Sequence, residues 1–218
     1  MIENKKYFEK HKYRNPADYL VKAFVAPKIR FMEEHGCFRR NNIKILDVGS
    51  GNGTFSHYFY KYTNQVICVD YSEQLLRANY SRSRTRATAY QLPFKDGQFD
   101  LVFEANLLHH VDDPYRAIEE IKRCSREYIV LIEPNRYNPL MFIFALLVKA
   151  ERGVFVSCIN KWRNMLTSPG IEIVAGMATG MITQDNTPAF MVPILKLFDF
   201  KFFLGEYVIL IGKKRSNH

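Results

Sequence analysis

Residues 45–54 read I-L-D-V-G-S-G-N-G-T and constrain the fold more than any other stretch of the chain. A short apolar run, long enough for a buried strand, ends near Asp47. Glycines then follow at alternate positions, Gly49, Gly51 and Gly53. Glycine reaches backbone angles closed to other residues, so the chain can turn sharply here and let a ligand approach the main chain. A helix starting just past the turn would offer its unpaired amides to that ligand. The spacing is G-x-G-x-G, with Thr54 where the dinucleotide fingerprint G-x-G-x-x-G sets its last glycine.

From residue 43 the pattern alternates strand and helix. Strands are expected at 43–48, 65–70, 86–90, 99–104 and 128–133, and helices at 54–62, 72–80 and 113–125. Asp112-Asp113-Pro114 is a helix start with proline in the first turn. Alternation of this kind demands a parallel sheet covered by helices on both faces. Such sheets bind ligands beyond the carboxyl ends of their strands. Ahead of this core, helical spacing behind Asn15-Pro16 predicts a leading helix over 16–34. Beyond Glu133 a turn-rich stop precedes an apolar helix over 140–148, a strand over 171–177, another apolar helix from Thr187-Pro188 and a last strand over 206–213.

The motifs continue in order. Q-V-I-C-V-D at 65–70 is a second strand ending in a carboxylate about 20 residues past the glycines, where an α/β nucleotide site sets an acid against ribose hydroxyls. Q-L-P-F-K-D-G-Q-F-D-L-V-F at 91–103 and E-A-N-L-L-H-H-V-D-D-P at 104–114 follow. Together with I-L-D-V-G-S-G-N-G this series resembles the class I S-adenosylmethionine-dependent methyltransferases of the type 11-like, small-molecule kind, over residues 43–134, close to half of the chain.

The resemblance implies a Rossmann-like seven-stranded, mostly parallel sheet with helices on both faces. Its last strand would run antiparallel between the fifth and sixth, and a helical insertion would lie between strands 5 and 6. It implies one methyltransferase domain: a helical cap over 1–42, a cofactor-binding core over 43–134, and a substrate-side insertion with the last strands over 135–218. The implied cofactor is S-adenosylmethionine, which leaves as S-adenosylhomocysteine. Gly49, Gly51 and Gly53 would admit its methionine part, with Asp47 orienting the loop. Asp70 would accept from both ribose hydroxyls, the alternative being an acid that caps the next helix through Ser72. Tyr71 would pack on the adenine edge. The chain carries Thr88 where many relatives have an acid for the adenine amino group, and the Ala89 amide would serve the ring nitrogen. Glu104 and Asn106 would face the reaction centre.

Methyl transfer from a sulfonium needs alignment and exclusion of water more than a nucleophile. Candidates for a general base are His110 of L-H-H, since histidine titrates near neutrality, and Glu133 at the end of the fifth strand. The expected acceptor is a small molecule methylated at oxygen, a glycan- or lipid-linked intermediate being the class suggested. The rivals are RNA methylation and a non-catalytic, cofactor-binding partner subunit. RNA is disfavoured because E-A-N-L, not D/N-P-P-Y, follows the fourth strand. A nicotinamide oxidoreductase is disfavoured by the glycine spacing.

A net charge of +9 suits an acidic partner, but no basic stripe of a nucleic-acid module is present, and no DNA partner is expected. The aromatic and basic residues of 135–198, among them Phe142, Phe144, Phe155 and Trp162 with Arg136, Lys149, Arg152, Lys161 and Arg163, predict a mostly apolar acceptor pocket with a basic rim, or peripheral contact with an anionic membrane. Cys37, Cys68, Cys124 and Cys158 are scattered, and no histidine sits at metal-ligand spacing, so no metal is expected. The first residues lack the apolar stretch of a signal peptide, which makes the expected location cytoplasmic. Oligomeric state is open.

Overall fold

The computed structural model describes residues 7–10 and 13–215. Seven strands form one sheet in the order β3-β2-β1-β4-β5-β7-β6. They are β1 (Ile45–Val48), β2 (Val66–Asp70), β3 (Ser83–Arg86), β4 (Phe99–Ala105), β5 (Ser125–Pro134), β6 (Ile171–Thr179) and β7 (Tyr207–Lys214). β1 to β5 pair in parallel, and β7 lies antiparallel to both β5 and β6. The order reverses between β1 and β4, and this places the ligand crevice.

Alternation of side chains along the strands divides the core into two layers. Val130 and Ile132 of β5 with Ile209 and Ile211 of β7 point to one face. There they meet helix α1 (Tyr19–Glu34) and Phe55 and Phe59 of α2 (Thr54–Phe59). Ile129 and Leu131 with Val208 and Leu210 point to the other face. They pack there on α4 (Pro114–Cys124) and α6 (Ile159–Leu166). The leading helix is therefore one side of the core, with Val21, Phe24, Val25 and Met32 buried. It starts later than Asn15-Pro16 predicts, because the Asp18 side chain accepts from the Leu20 amide as its N-cap. The Asp113-Pro114 start of α4 holds, with Asp113 accepting from the Arg116 amide.

The third strand lies earlier than the pattern predicts. Arg84 and Arg86 belong to β3 itself, whose side chains are mostly exposed at the sheet edge. Charge on an edge strand blocks further strand pairing, and a polar edge gives no apolar run to read. The segment 87–90 instead leaves the strand and turns into the crevice.

Lys28, on α1, is 2% exposed. Its ammonium donates to the Phe24 carbonyl at 2.8 Å and lies over the Phe24 ring, 3.6 Å from its centre. Burial lowers its pKa to about 7, against a partial opposing pull from Glu206. Between about 7 and the ordinary lysine value the unfolded chain binds more protons, so stability should rise with pH across that window. Lys28→Met is expected to raise the melting temperature at pH 7 and to abolish that rise. Melting curves from pH 7 to 10 that are parallel for the two proteins would contradict it.

Candidate functional site

A cavity of about 550 Å³ opens beyond the carboxyl ends of β1, β2, β4 and β5. Asp47 and Val48, Asp70, Ala105 and Asn106, and Pro134 reach it from those four ends. Nine of the residues singled out from the sequence line it: Asp47, Gly49, Gly51, Asp70, Tyr71, Thr88, Ala89, Asn106 and His110. Gly53, Glu104 and Glu133 do not.

The glycines divide by what a side chain would meet. At Gly51 (φ +51°) an added Cβ would find nothing within 4 Å, because that side of the loop faces the cavity. At Gly49 it would press on the Leu107 side chain. At Gly53 it would overlap the Asn79 side chain, so only glycine packs here at the start of α2. The Asn79 amide donates to the Gly51 carbonyl at 2.9 Å and holds the loop from behind.

Asp70 accepts from the Gly51 amide at 2.9 Å through one carboxylate oxygen and from the Ser72 amide at 2.8 Å through the other. Both readings of this residue are thus geometrically served, since a carboxylate oxygen has lone pairs for more than one donor. Burial raises its pKa, opposed by those two amides. Asp47 meets the first turn of the helix that follows the glycine loop. Its carboxylate accepts from the Ser56 hydroxyl of α2 at 2.5 Å, and burial pushes its pKa up to about 7. Tyr71 stands at the cavity edge with the Arg86 guanidinium over its ring. Asn106 closes β4 in the left-handed region, at φ 57°, which asparagine tolerates better than most residues.

The two acids expected near the reaction centre lie behind the wall. Glu133 is fully buried and accepts from the backbone amides of Leu107, Leu108 and His109, at 2.9, 2.8 and 3.1 Å, and from His109 Nδ1 at 2.6 Å. It fixes the L-H-H loop and faces no ligand, so its candidacy as a base gives way to a positioning role. Glu104 is also fully buried. Its burial, and after that the charge of Glu133, raise its pKa well above the ordinary carboxylate value.

The two histidines differ. Burial lowers the pKa of His109, but Glu133 and Glu151 overcome this and raise it to about 9. His110 is driven well below its ordinary value by burial and by His109. Its Nδ1 lies 3.1 Å from the Ala150 carbonyl. His110 is therefore the less basic imidazole of the pair.

Helix α5 (Pro139–Leu147) adds Leu140, Met141 and Phe144 to the cavity wall, and Met181, Met191 and Leu195 complete an apolar side. Tyr7, Phe8 and Tyr13 cover it from the N-terminal segment. The predicted basic rim is absent: no lysine or arginine among the described residues lines the cavity. Arg136, Lys149, Arg152 and Arg163 are exposed on the outer surface, and Lys161 is half-buried over the Trp162 ring. Trp162 is core, fully buried with its indole donating to Ser157, and Phe142 and Phe155 pack on each other away from the cavity lining.

Sequence reasoning missed Glu151, Asp185 and Glu206, which also line the cavity. It missed as well that His109, His110 and Glu151 stand together with potential ligand atoms all within 4.8 Å. Glu151 is more than 40 residues from the histidines, and local spacing carries no signal of such a group.

Residues 46–129 match the family model described as a methyltransferase domain. An uncharacterized methyltransferase of Schizosaccharomyces pombe is 35% identical over 100 residues, 38% of this chain and 36% of that protein. A demethylmenaquinone methyltransferase of Thermobifida fusca is 35% identical over 91 residues, 38% of this chain and 39% of its own. The chain thus spans little more than a third of the length of these curated relatives. The crystal structure of YcgJ from Bacillus subtilis superposes with a TM-score of 0.63 at 18% identity, covering 88% of this chain and 99% of that one. An S-adenosylmethionine-dependent methyltransferase of Mesorhizobium loti gives 0.63 at 16% identity, over 89% and 100%. With the glycine loop, the carboxylate ending β2 and the antiparallel β7 all in one fold, the chain carries a methyltransferase domain over residues 46–129 within the fold of the S-adenosylmethionine-dependent methyltransferases.

Proposed function

We propose that this protein transfers a methyl group from S-adenosylmethionine to an apolar small-molecule acceptor, at an oxygen atom. The observation that carries the reading is that one cavity joins a polar wall, built by the glycine loop, Asp70 and Asn106, to apolar side chains from α5 (Leu140, Met141, Phe144) and from Met181, Met191 and Leu195. The residues present fit the cofactor: space lies against the backbone at Gly51, and a carboxylate closes the second strand beside it. When bound, the cofactor supplies an electrophilic methyl group on a sulfonium. Gly51 and Asn106 would hold its methionine part, Asp70 its ribose, and Tyr71, Thr88 and Ala89 its adenine. Tyr7, Phe8 and Tyr13 exclude water from the shared space. His110, on the cavity wall, would take the acceptor's hydroxyl proton.

The apolar elements also face outward. Leu140, Ile143, Leu146 and Leu147 of α5, and Phe190, Ile194 and Leu197 nearby, are exposed. With the basic side chains on the outer surface, this suits a lipid-like acceptor reached from an anionic membrane surface. No helix among the described residues is long and apolar enough to cross a bilayer. The names of the Thermobifida relative and of a ubiquinone/menaquinone C-methyltransferase of Psychromonas ingrahamii favour a second reading, methylation at carbon of a quinol-type ring. The absence of lysine and arginine from the described lining speaks against an acceptor whose anionic group enters the cavity.

Calorimetry should give saturable binding of S-adenosylmethionine and none of NADH at the same concentrations. Asp70→Ala should weaken that binding more than about 100-fold, because it removes the acceptor of two hydrogen bonds to a charged group, each worth about 1.5–3 kcal/mol. Unchanged affinity would remove the ribose assignment. Turnover with phenolic lipids and quinols, followed by mass spectrometry of the methylated atom, decides between oxygen and carbon.

A further inference from the structure

His109, His110 and Glu151 meet on the cavity wall in an arrangement that methyl transfer does not require. Glu151 Oε2 lies 3.4 Å from His109 Nε2 and 3.9 Å from His110 Nε2. Metal–nitrogen and metal–oxygen bonds of about 2.0–2.2 Å set ligand atoms about 3.0–3.5 Å apart; Glu151 already stands at that spacing from His109, and the whole set, within 4.8 Å, would close by about 1 Å at its widest to share one ion. Each ring is also held by its other nitrogen. His109 Nδ1 bonds Glu133 at 2.6 Å, and His110 Nδ1 faces the Ala150 carbonyl at 3.1 Å. A carboxylate on one imidazole and a backbone carbonyl on the other are the outer partners that orient metal-ligating histidines.

The fold brings the third ligand in by a close approach. Glu151 belongs to the 3-10 helix Lys149–Val156 of the insertion. At Gly153, two residues on, an added Cβ would overlap the His109 carbonyl. Only glycine lets this segment lie against the L-H-H loop.

We propose that His109, His110 and Glu151 form a two-histidine, one-carboxylate site for a divalent first-row transition-metal ion, such as Zn²⁺, Mn²⁺ or Fe²⁺. Imidazole nitrogen suits the transition metals better than Mg²⁺ or Ca²⁺, and three protein ligands leave positions for oxygen. All three residues line the cavity, so those positions open toward the acceptor side. Use of the ion to hold an acceptor oxygen rests on the methyl-transfer reading, and with His110 Nε2 on the ion it would replace the imidazole as the means of acidifying the acceptor's hydroxyl. The binding of the ion does not rest on that reading.

The test uses the full chain stripped with a chelator and dialysed. Titration with Co²⁺ should give visible d–d absorption that saturates at one ion per chain, and calorimetry with Zn²⁺ should give the same stoichiometry. Glu151→Ala and His110→Ala should each weaken binding more than about 100-fold, beyond the roughly 10–100-fold effect of losing an outer partner. Circular dichroism checks that each variant is folded, and Glu151→Gln, which keeps the side-chain shape, replaces any that is not. Absence of saturable binding to the parent protein, or equal affinity in the folded variants, overturns the site. The alternative it would leave is a His109 imidazolium bridging two carboxylates. Asp70→Ala should bind Co²⁺ like the parent protein, which separates loss of the ion from loss of the cofactor.

Discussion

Gly51→Val is expected to leave a folded protein that no longer binds S-adenosylmethionine at a detectable level. The space into which the new Cβ would project holds no protein atom within 4 Å, so the free protein meets no clash. The cost to the fold is that of a branched residue at φ +51°, about 1–2 kcal/mol for a left-handed backbone. The cost to binding is much larger, because the branch stands where a ligand would meet the Gly51 and Ser50 backbone, both on the cavity wall. Gly51→Ala shares the backbone strain with a smaller side chain and should fall between the two. Calorimetry with circular dichroism separates the effects. A folded valine variant with parental affinity would refute close approach at this loop.

Trp162→Ala is expected to produce the largest loss of stability. The side chain is fully buried in the layer between the sheet and α4, among Ile121, Leu166 and Leu210. Its indole nitrogen donates to the Ser157 hydroxyl at 2.9 Å, and that hydroxyl donates in turn to the Pro134 carbonyl at the end of β5. Truncation removes the packing and one partner of this chain of bonds, a cost of about 3–5 kcal/mol. In a domain of this size each kcal/mol is worth about 2–4 °C, so melting should fall by roughly 10 °C or more. Trp162 does not line the cavity, and S-adenosylmethionine affinity measured well below the new melting point should change little. A small shift in melting, with a large loss of cofactor binding, would place Trp162 at the ligand site, which its sequence context had left open beside core packing.

Trp162 illustrates where sequence reading stops. A buried aromatic in a core and one on a pocket wall have the same helical spacing, and only the packing partner tells them apart. The same holds for the expected basic rim. Arg136, Lys149, Arg152 and Arg163 fall among apolar residues in sequence, yet the turn before α5 and the helices after it leave them exposed. Gly53 shares its spacing with Gly49 and Gly51 but meets Asn79, which no local pattern could show.

What the sequence determined is local and periodic. Three glycines after I-L-D-V, a carboxylate ending the next apolar run, and the strand–helix alternation required a parallel sheet with a ligand at its carboxyl end, because backbone geometry and side-chain period decide those features residue by residue. The tertiary structure alone decided which charges are buried and which residues far apart in sequence meet. Glu133 and Glu104 end up behind the wall, and Glu151 reaches His109 and His110 across more than 40 residues through the close contact at Gly153. Burial and long-range contact are properties of packing, and packing is set by all the layers at once.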